Sequence, residues 1–307
     1  MTRAPYKAKP EPGSFADLIL QYRVFKFNEW APRTIAKNDK ILGDFMAANG
    51  KRMVADLRRG DFIAMRNGMA KTPSAANNWS KVMRPLIDYA VELEMIPFNP
   101  LGRVKRLKVP NEDGFRTWRD DEIAAFEAHW PRGSLPRLTL TLALCTGAAR
   151  GDLVRLGWPN VRGSRLSYRR LKTATAVDIP ILPPLVEELS QIPEKQMTFL
   201  ETKDGRVLSP AALTDQFRRW VIKAGLGGKD ATGHHLSLHG LRKAGARRAA
   251  EAGSDAFELM AWFGWANIQM AQHYAKAYSR ARSADAMAEK LAGSKPGNVT
   301  RMRRPKE

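Results

Sequence analysis

In the stretch LSLHGLRKAG, His239 and Arg242 lie three residues apart, a spacing that puts both on one face of a helix. A guanidinium is a planar fork of donors that matches phosphate oxygens, and an imidazole can donate from either ring nitrogen. Together the two could grip a single phosphate. Taken alone, the pair reads more simply as a surface histidine beside a surface arginine. His234 and His235 lack an arginine at that spacing, which makes His239 the candidate.

Of four other segments, three hold groups of related chemistry. FGWANIQMAQHY, residues 263–274, contains Gly264, Trp265, His273 and Tyr274, and a second phenol, Tyr278, follows one helical turn on. Trp265 cannot act as an acid, but its indole N–H is a donor able to hold a phosphate oxygen. An aromatic pair like this fits core packing equally well. Arg170-Leu171-Lys172-Thr173-Ala174 places the Lys172 ammonium in a strand-rich region, where a solvated hairpin lysine is the competing view. TGAARGDLVRLGW, residues 146–158, carries Arg150 and Asp152, and WRDDEI, residues 118–123, is acidic without evident chemistry.

The elements that must position these groups are mostly helical. Ser14 is placed to cap a first helix whose Phe15, Leu18, Ile19 and Tyr22 recur at three- and four-residue steps. A second helix is expected from Pro32 to Ala48, with Ile35, Ile41, Leu42 and Phe45 inward. A third is expected over Arg59 to Ala70, and a fourth from Pro73 toward Ile96. The basic residues of this module (Arg33, Lys37, Lys40, Lys51, Arg52, Arg84) are scattered and fit an ordinary solvated surface as well as a DNA-facing one.

Residues 103–116 are basic, lack apolar periodicity and are broken by Pro110 and Gly114, so they read as a linker. Beyond it come an acidic helix start, an apolar helix over 134–146, antiparallel strands within 164–181, and helices from Pro183 onward. The expected fold is mainly α: a helical module over 14–102, then a mostly helical domain with one small antiparallel sheet over 117–292. Residues 1–13 form a basic arm and 293–307 a basic tail.

Charge narrows the partner. Fifty-one Lys and Arg stand against 31 Asp and Glu, a net charge of +20, which attracts polyanions and above all nucleic acid. Cys145 is the sole cysteine, so neither an intrachain disulfide nor a cysteine-based zinc site can form. The first residues have no apolar core, and the longest apolar run, Leu138 to Cys145, is too short to cross a bilayer. The expected setting is a reducing cytoplasm.

Taken in order, the five segments of the second domain resemble tyrosine recombinases, the phage integrase family, and the likeness extends more weakly to the helical module and linker. The resemblance implies that Tyr274, nine residues beyond Trp265, is the nucleophile rather than Tyr278. It implies that Lys172 protonates the leaving 5′-oxygen, and that His239, Arg242 and Trp265 stabilise the pentavalent phosphorane. It also implies duplex DNA with a specific attachment site as substrate, a homotetramer on two duplexes, accessory DNA-bending or directionality factors, and no cofactor or metal. The apolar stripe of Tyr278, Ala281, Ala284, Ala288 and Leu291 would dock on a neighbouring protomer or pack on its own domain.

One position departs from the family pattern. Where the family has Thr-Gly-x-Arg-x-x-Glu/Asp, Thr146, Gly147 and Asp152 fit but the arginine slot holds Ala149. Arg150 is adjacent, yet neighbouring helical positions diverge by ~100°, so it is expected to face elsewhere. Asp152 is therefore expected to be an acid left without its partner. Loss of that guanidinium should cost ~10²-fold or more in rate without abolishing DNA binding. Two rivals follow: a type IB topoisomerase, disfavoured by the helical module and linker, and a non-cleaving DNA-binding or regulatory protein on a recombinase scaffold, supported by Ala149.

Overall fold

Ser14 opens the first helix by accepting the Asp17 backbone N–H at 3.3 Å, while Asp17 turns back to accept from Gly13 N–H at 3.0 Å. This is a computed structural model, and it describes residues 9–102, 104–109, 114–194, 196–202, 204–231 and 233–293. Side chains at 33, 276–283, 285 and 286 also fall outside the description. Residues 1–8 of the expected arm and 294–307 of the expected tail are therefore not described. The chain divides into two compact units, residues 1–112 and 113–307.

In the first unit, α1 (Phe15–Phe27), α2 (Pro32–Asn49), α3 (Arg59–Gly68) and α4 (Pro73–Glu92) enclose one core. The four inward residues expected on α1 are at most 1% exposed. Of the four expected inward on α2, Leu42 and Phe45 are buried, while Ile35 and Ile41 sit at the rim. Two of the scattered basic residues are internal ties: Arg52 pairs with Asp61 at 2.8 Å, and Arg84 donates to the Val104 carbonyl. The start of the basic 103–116 segment is likewise held to this unit. Val104 is buried in its core, and Asn77 exchanges two 2.8 Å hydrogen bonds with the Leu107 backbone.

The second unit begins with α5 (Asp120–His129), α6 (Leu135–Thr146) and the short α7 (Arg150–Leu153). Three antiparallel strands follow in the order β1 (Val161–Arg162), β2 (Arg165–Arg169) and β3 (Ala176–Pro180). The two-residue β1 is too short to show a period, and it turns into β2 through Gly163 at φ +59°. Leu166 of β2 lies opposite Ile179 of β3, and both are buried.

The remaining helices are α8 (Pro183–Leu189), α9 (Pro210–Lys223), α10 (Leu238–Glu251), α11 (Ala256–Phe263) and α12 (Ile268–Gly293). Helix was expected throughout from Pro183, but the described residues within 190–209 and 224–237 are irregular, the first stretch with an isolated Glu201–Val207 bridge. Pro193, Gly205 and Pro210 punctuate that stretch. Cys145, at the end of α6, has its thiol pushed up to about 12 by burial. Among the described residues no helix is long and apolar enough to cross a membrane.

Candidate active site

The acidic WRDDEI segment, for which the sequence suggested no chemistry, clamps α10. Trp118, wholly buried, donates from its indole nitrogen to the Ser237 carbonyl at 2.9 Å. Ser237 caps α10 by accepting the Gly240 N–H at 3.2 Å. Asp120 accepts from Arg247 at 2.9 Å and Arg248 at 2.8 Å, further along the same helix. Gly240 lets α10 press against the entering chain: a Cβ there would lie 2.2 Å from the Arg116 carbonyl oxygen. The helix that carries His239 and Arg242 is thus pinned along its length.

The two residues then diverge in setting. His239 keeps an exposed edge while its ring lies against Phe115, centroids 4.6 Å apart. Partial withdrawal from water holds its pKa below the usual value, helped by the positive charges of Arg242, Lys243, Arg170 and Lys172. Arg242 is only 5% exposed. It donates from Nη1 to the Gly147 carbonyl and from Nη2 to the Phe263 carbonyl at 2.7 Å. Gly147 closes α6, and Phe263 is the last residue of α11, so one guanidinium ties the negative ends of two helices. Burial, then the nearby Arg170 charge, brings its pKa down to about 10.

A stack of three aromatic rings adjoins this guanidinium through its first two members. Trp265 stacks on Phe263 at 5.0 Å and on Tyr274 at 5.4 Å, with interplanar angles of 21° and 10°. The Arg242 Cζ sits 5.4 Å from the Trp265 ring and 5.5 Å from the Phe263 ring. The structure therefore gives Trp265 a stacking role beside the donor role read from the sequence. Tyr274 lies in the first part of α12, and that one helix continues through the expected apolar stripe. Burial raises its phenol pKa, and Arg242 opposes the rise. Ala284, Ala288 and Leu291 are exposed, and the side chains of Tyr278 and Ala281 lie outside the described residues.

The arginine slot is where the sequence reading needs correction. Ala149 is the extended N-cap of α7 (φ −73°, ψ 155°) rather than a residue within the helix. Arg150 does face elsewhere, donating to the Thr214 hydroxyl of α9 at 3.0 Å. Asp152, however, is not an acid without a partner. Its Oδ1 accepts the Leu171 N–H at 2.8 Å, and its Oδ2 lies 3.6 Å from Nε of Arg170. Arg170 is 8% exposed and donates from Nη1 to the carbonyls of Phe263 and Gly264, each at 3.1 Å. The sequence quoted this arginine only as a neighbour of Lys172. The signal missed was its position immediately after β2, two residues before the lysine, where the strand runs into the site. Lys172 is exposed on the β2–β3 connection, near enough for its charge to act on His239.

Gly264 makes room for that arginine. It adopts φ +59°, and a Cβ on it would lie 2.6 Å from both Cδ of Arg170 and Cγ2 of Val177. Gly264→Ala should therefore combine left-handed strain with overpacking and destabilise the unit by about 2–4 kcal/mol. The urea midpoint measures this, and an unshifted midpoint would mean that the glycine is not needed for the passage of Arg170. Among the described residues, no group of three His, Cys, Asp or Glu side chains gathers as a metal site requires.

Comparison with known proteins bears on the family and the fold. The family model described as the phage integrase family matches residues 122–280, more than half of the chain. The integrase of Mycobacterium phage L5 is 28% identical over 246 residues, covering 72% of this chain and 63% of that protein. The integrase of Escherichia phage HK022 is 25% identical over 207 residues, covering 63% of this chain and 56% of that protein. The chain thus spans about three fifths of the length of the curated relatives it matches. A lambda integrase dimer bound to a COC′ core site has the same fold, with a TM-score of 0.74 over 85% of this chain and 77% of that one, at 20% identity. With the family match running from within α5 through the Tyr274 stack, the chain belongs to the phage integrase family, the tyrosine recombinases.

Proposed function

We propose that this chain is a site-specific DNA recombinase that breaks and rejoins duplex DNA through a 3′-phosphotyrosine link to Tyr274. The observation that carries the reading is the stack of Tyr274 on Trp265 beside the buried Arg242 guanidinium. It puts a nucleophile next to a phosphate-binding group whose orientation is already set.

In the proposed step, Tyr274 Oη forms a bond to phosphorus and the bond from phosphorus to O5′ breaks. The phenol proton leaves to water, and Lys172 gives a proton to the departing 5′-oxygen. Arg242 and His239 hold the non-bridging oxygens as charge builds. The link conserves the energy of the broken bond, so a second 5′-hydroxyl can reverse the attack and exchange strands.

Residues 14–102 act in this reading as a core-type DNA-binding domain, 103–116 as the linker and 117–292 as the catalytic domain. The partners are duplex DNA with a specific attachment site, three further copies of the chain on two duplexes, and accessory DNA-bending or directionality factors. The setting is the bacterial nucleoid. The net charge of +20 supports a polyanionic partner. Ala149 is the single observation favouring a binding protein that does not cleave.

The test uses a duplex selected from a random-sequence library for binding to this chain. Protein and duplex are incubated, and covalent adducts are digested and mapped by mass spectrometry. A DNA-linked peptide containing Tyr274 is expected. Tight, specific binding without any adduct, from this chain and from Ala149→Arg alike, would leave the non-cleaving reading.

A further inference from the structure

We infer that Arg170 supplies the phosphate-binding guanidinium that position 149 lacks, reaching the site from the end of β2 instead of from the start of α7. The inference rests on the recombinase reading above. It goes beyond that reading by naming a catalytic residue that the family pattern does not assign.

Three observations carry it. Asp152, the acid the family places beside its arginine, has Arg170 beside it, with Nε 3.6 Å from Oδ2. The terminal nitrogens of Arg170 and Arg242 share one acceptor, the Phe263 carbonyl, at 3.1 Å and 2.7 Å. The two guanidiniums therefore form a single cluster next to the Tyr274 stack. Finally, Nε of Arg170 and the hydroxyl of Tyr168, which precedes it on β2 by two residues, are both buried without a hydrogen-bond partner.

Together these describe a site built for an anion. Two cations, 8% and 5% exposed, share the Phe263 carbonyl, with the Asp152 carboxylate beside Arg170, and two buried positive charges this close are unfavourable until something negative enters. A phosphodiester supplies that charge and accepts the planar, forked donors that both arginines offer. Arg170 is also held more firmly than a mobile side chain would be. Its Nη1 is fixed by two carbonyls, and its aliphatic stem runs under Gly264, where any side chain would strike it. A plain packing role for Arg170 would leave the pairing with Asp152 and the shared Phe263 carbonyl as coincidences.

The test measures adduct formation on the selected duplex, with the cleaved phosphate replaced in a parallel substrate by an uncharged methylphosphonate. Arg170→Met should form adduct at least ~10²-fold more slowly than the parent on the phosphodiester. On the methylphosphonate the deficit should shrink to within about tenfold, because the charge that Arg170 neutralises is gone. Ala149→Arg in the Arg170→Met background should recover much of the phosphodiester rate, and in the parent background should change it little. Equal deficits on both substrates would mean a structural role and overturn the inference, as would an Arg170→Met rate equal to the parent's. If Arg170→Met does not fold, Arg170→Lys keeps the charge and the stem, and the same comparison between substrates applies. A parent that forms no adduct while Ala149→Arg does would overturn the Arg170 assignment and leave the recombinase reading standing. No adduct from either would overturn both.

Discussion

Tyr274→Phe is expected to abolish the covalent protein–DNA adduct while leaving the fold and the grip on duplex DNA in place. The substitution removes one oxygen and keeps the ring. The stack on Trp265, 5.4 Å between centroids and 10° from parallel, depends on the ring alone and should survive. Removing a nucleophile in an enzyme of this kind costs on the order of 10⁶-fold, which would take adduct formation below detection. The measurement is a denaturing gel with the selected duplex, beside a mobility shift for binding and a melting curve for the fold. Tyr278→Phe is the control. An adduct that survives in Tyr274→Phe and disappears in Tyr278→Phe would move the nucleophile one helical turn along α12 and break the link between nucleophile and aromatic stack. Loss of DNA binding in Tyr274→Phe would show that the hydroxyl holds structure rather than reacts.

The sequence made the helical scaffold, the small sheet and most of the residues gathered at the candidate site legible because those features have local signatures. Ser14 and the spacing of Phe15, Leu18, Ile19 and Tyr22 are contained within nine residues, and each behaves in the fold as its chemistry requires. His239 and Arg242 share a helix for the same reason. The parts that were not legible depend on contacts far apart in the chain. Trp118 reaches Ser237 across 119 positions, so the role of the WRDDEI segment is invisible until α5 and α10 are packed together. Arg170 meets Phe263 across 93 positions, and its approach to Asp152 comes from a strand end turning into the site. A pattern defined by position along the chain registers the alanine at 149. It has no means of registering a guanidinium that arrives at the same acid from another element.

Arg242→Ala should be costly in two separate ways, and the separation tests how the site works. In the fold, Arg242 is the group that satisfies the Gly147 carbonyl at the end of α6, while the Phe263 carbonyl keeps a second donor in Arg170. Its loss orphans one buried acceptor and empties the space beside Phe263 and Trp265, a destabilisation of about 2–4 kcal/mol, partly offset by relief of the repulsion with Arg170. In the reaction it removes an oriented donor from the developing phosphorane, worth ~10²–10³-fold in rate. Arg242→Lys divides these effects. An ammonium keeps the charge and can satisfy one carbonyl, so most of the stability should return. It cannot present a planar fork, so the rate should stay at least tenfold low. Urea midpoints and adduct rates on the three proteins are the measurements. If lysine restored the rate fully, the site would need only charge near the phosphate. If alanine left the midpoint unchanged, Arg242 would not be tying α6 to α11. The expected pattern, stability recovered and rate not, follows from the geometry: the carbonyls of two helix ends have already aimed the guanidinium before any phosphate arrives, so little reorganisation remains when charge develops.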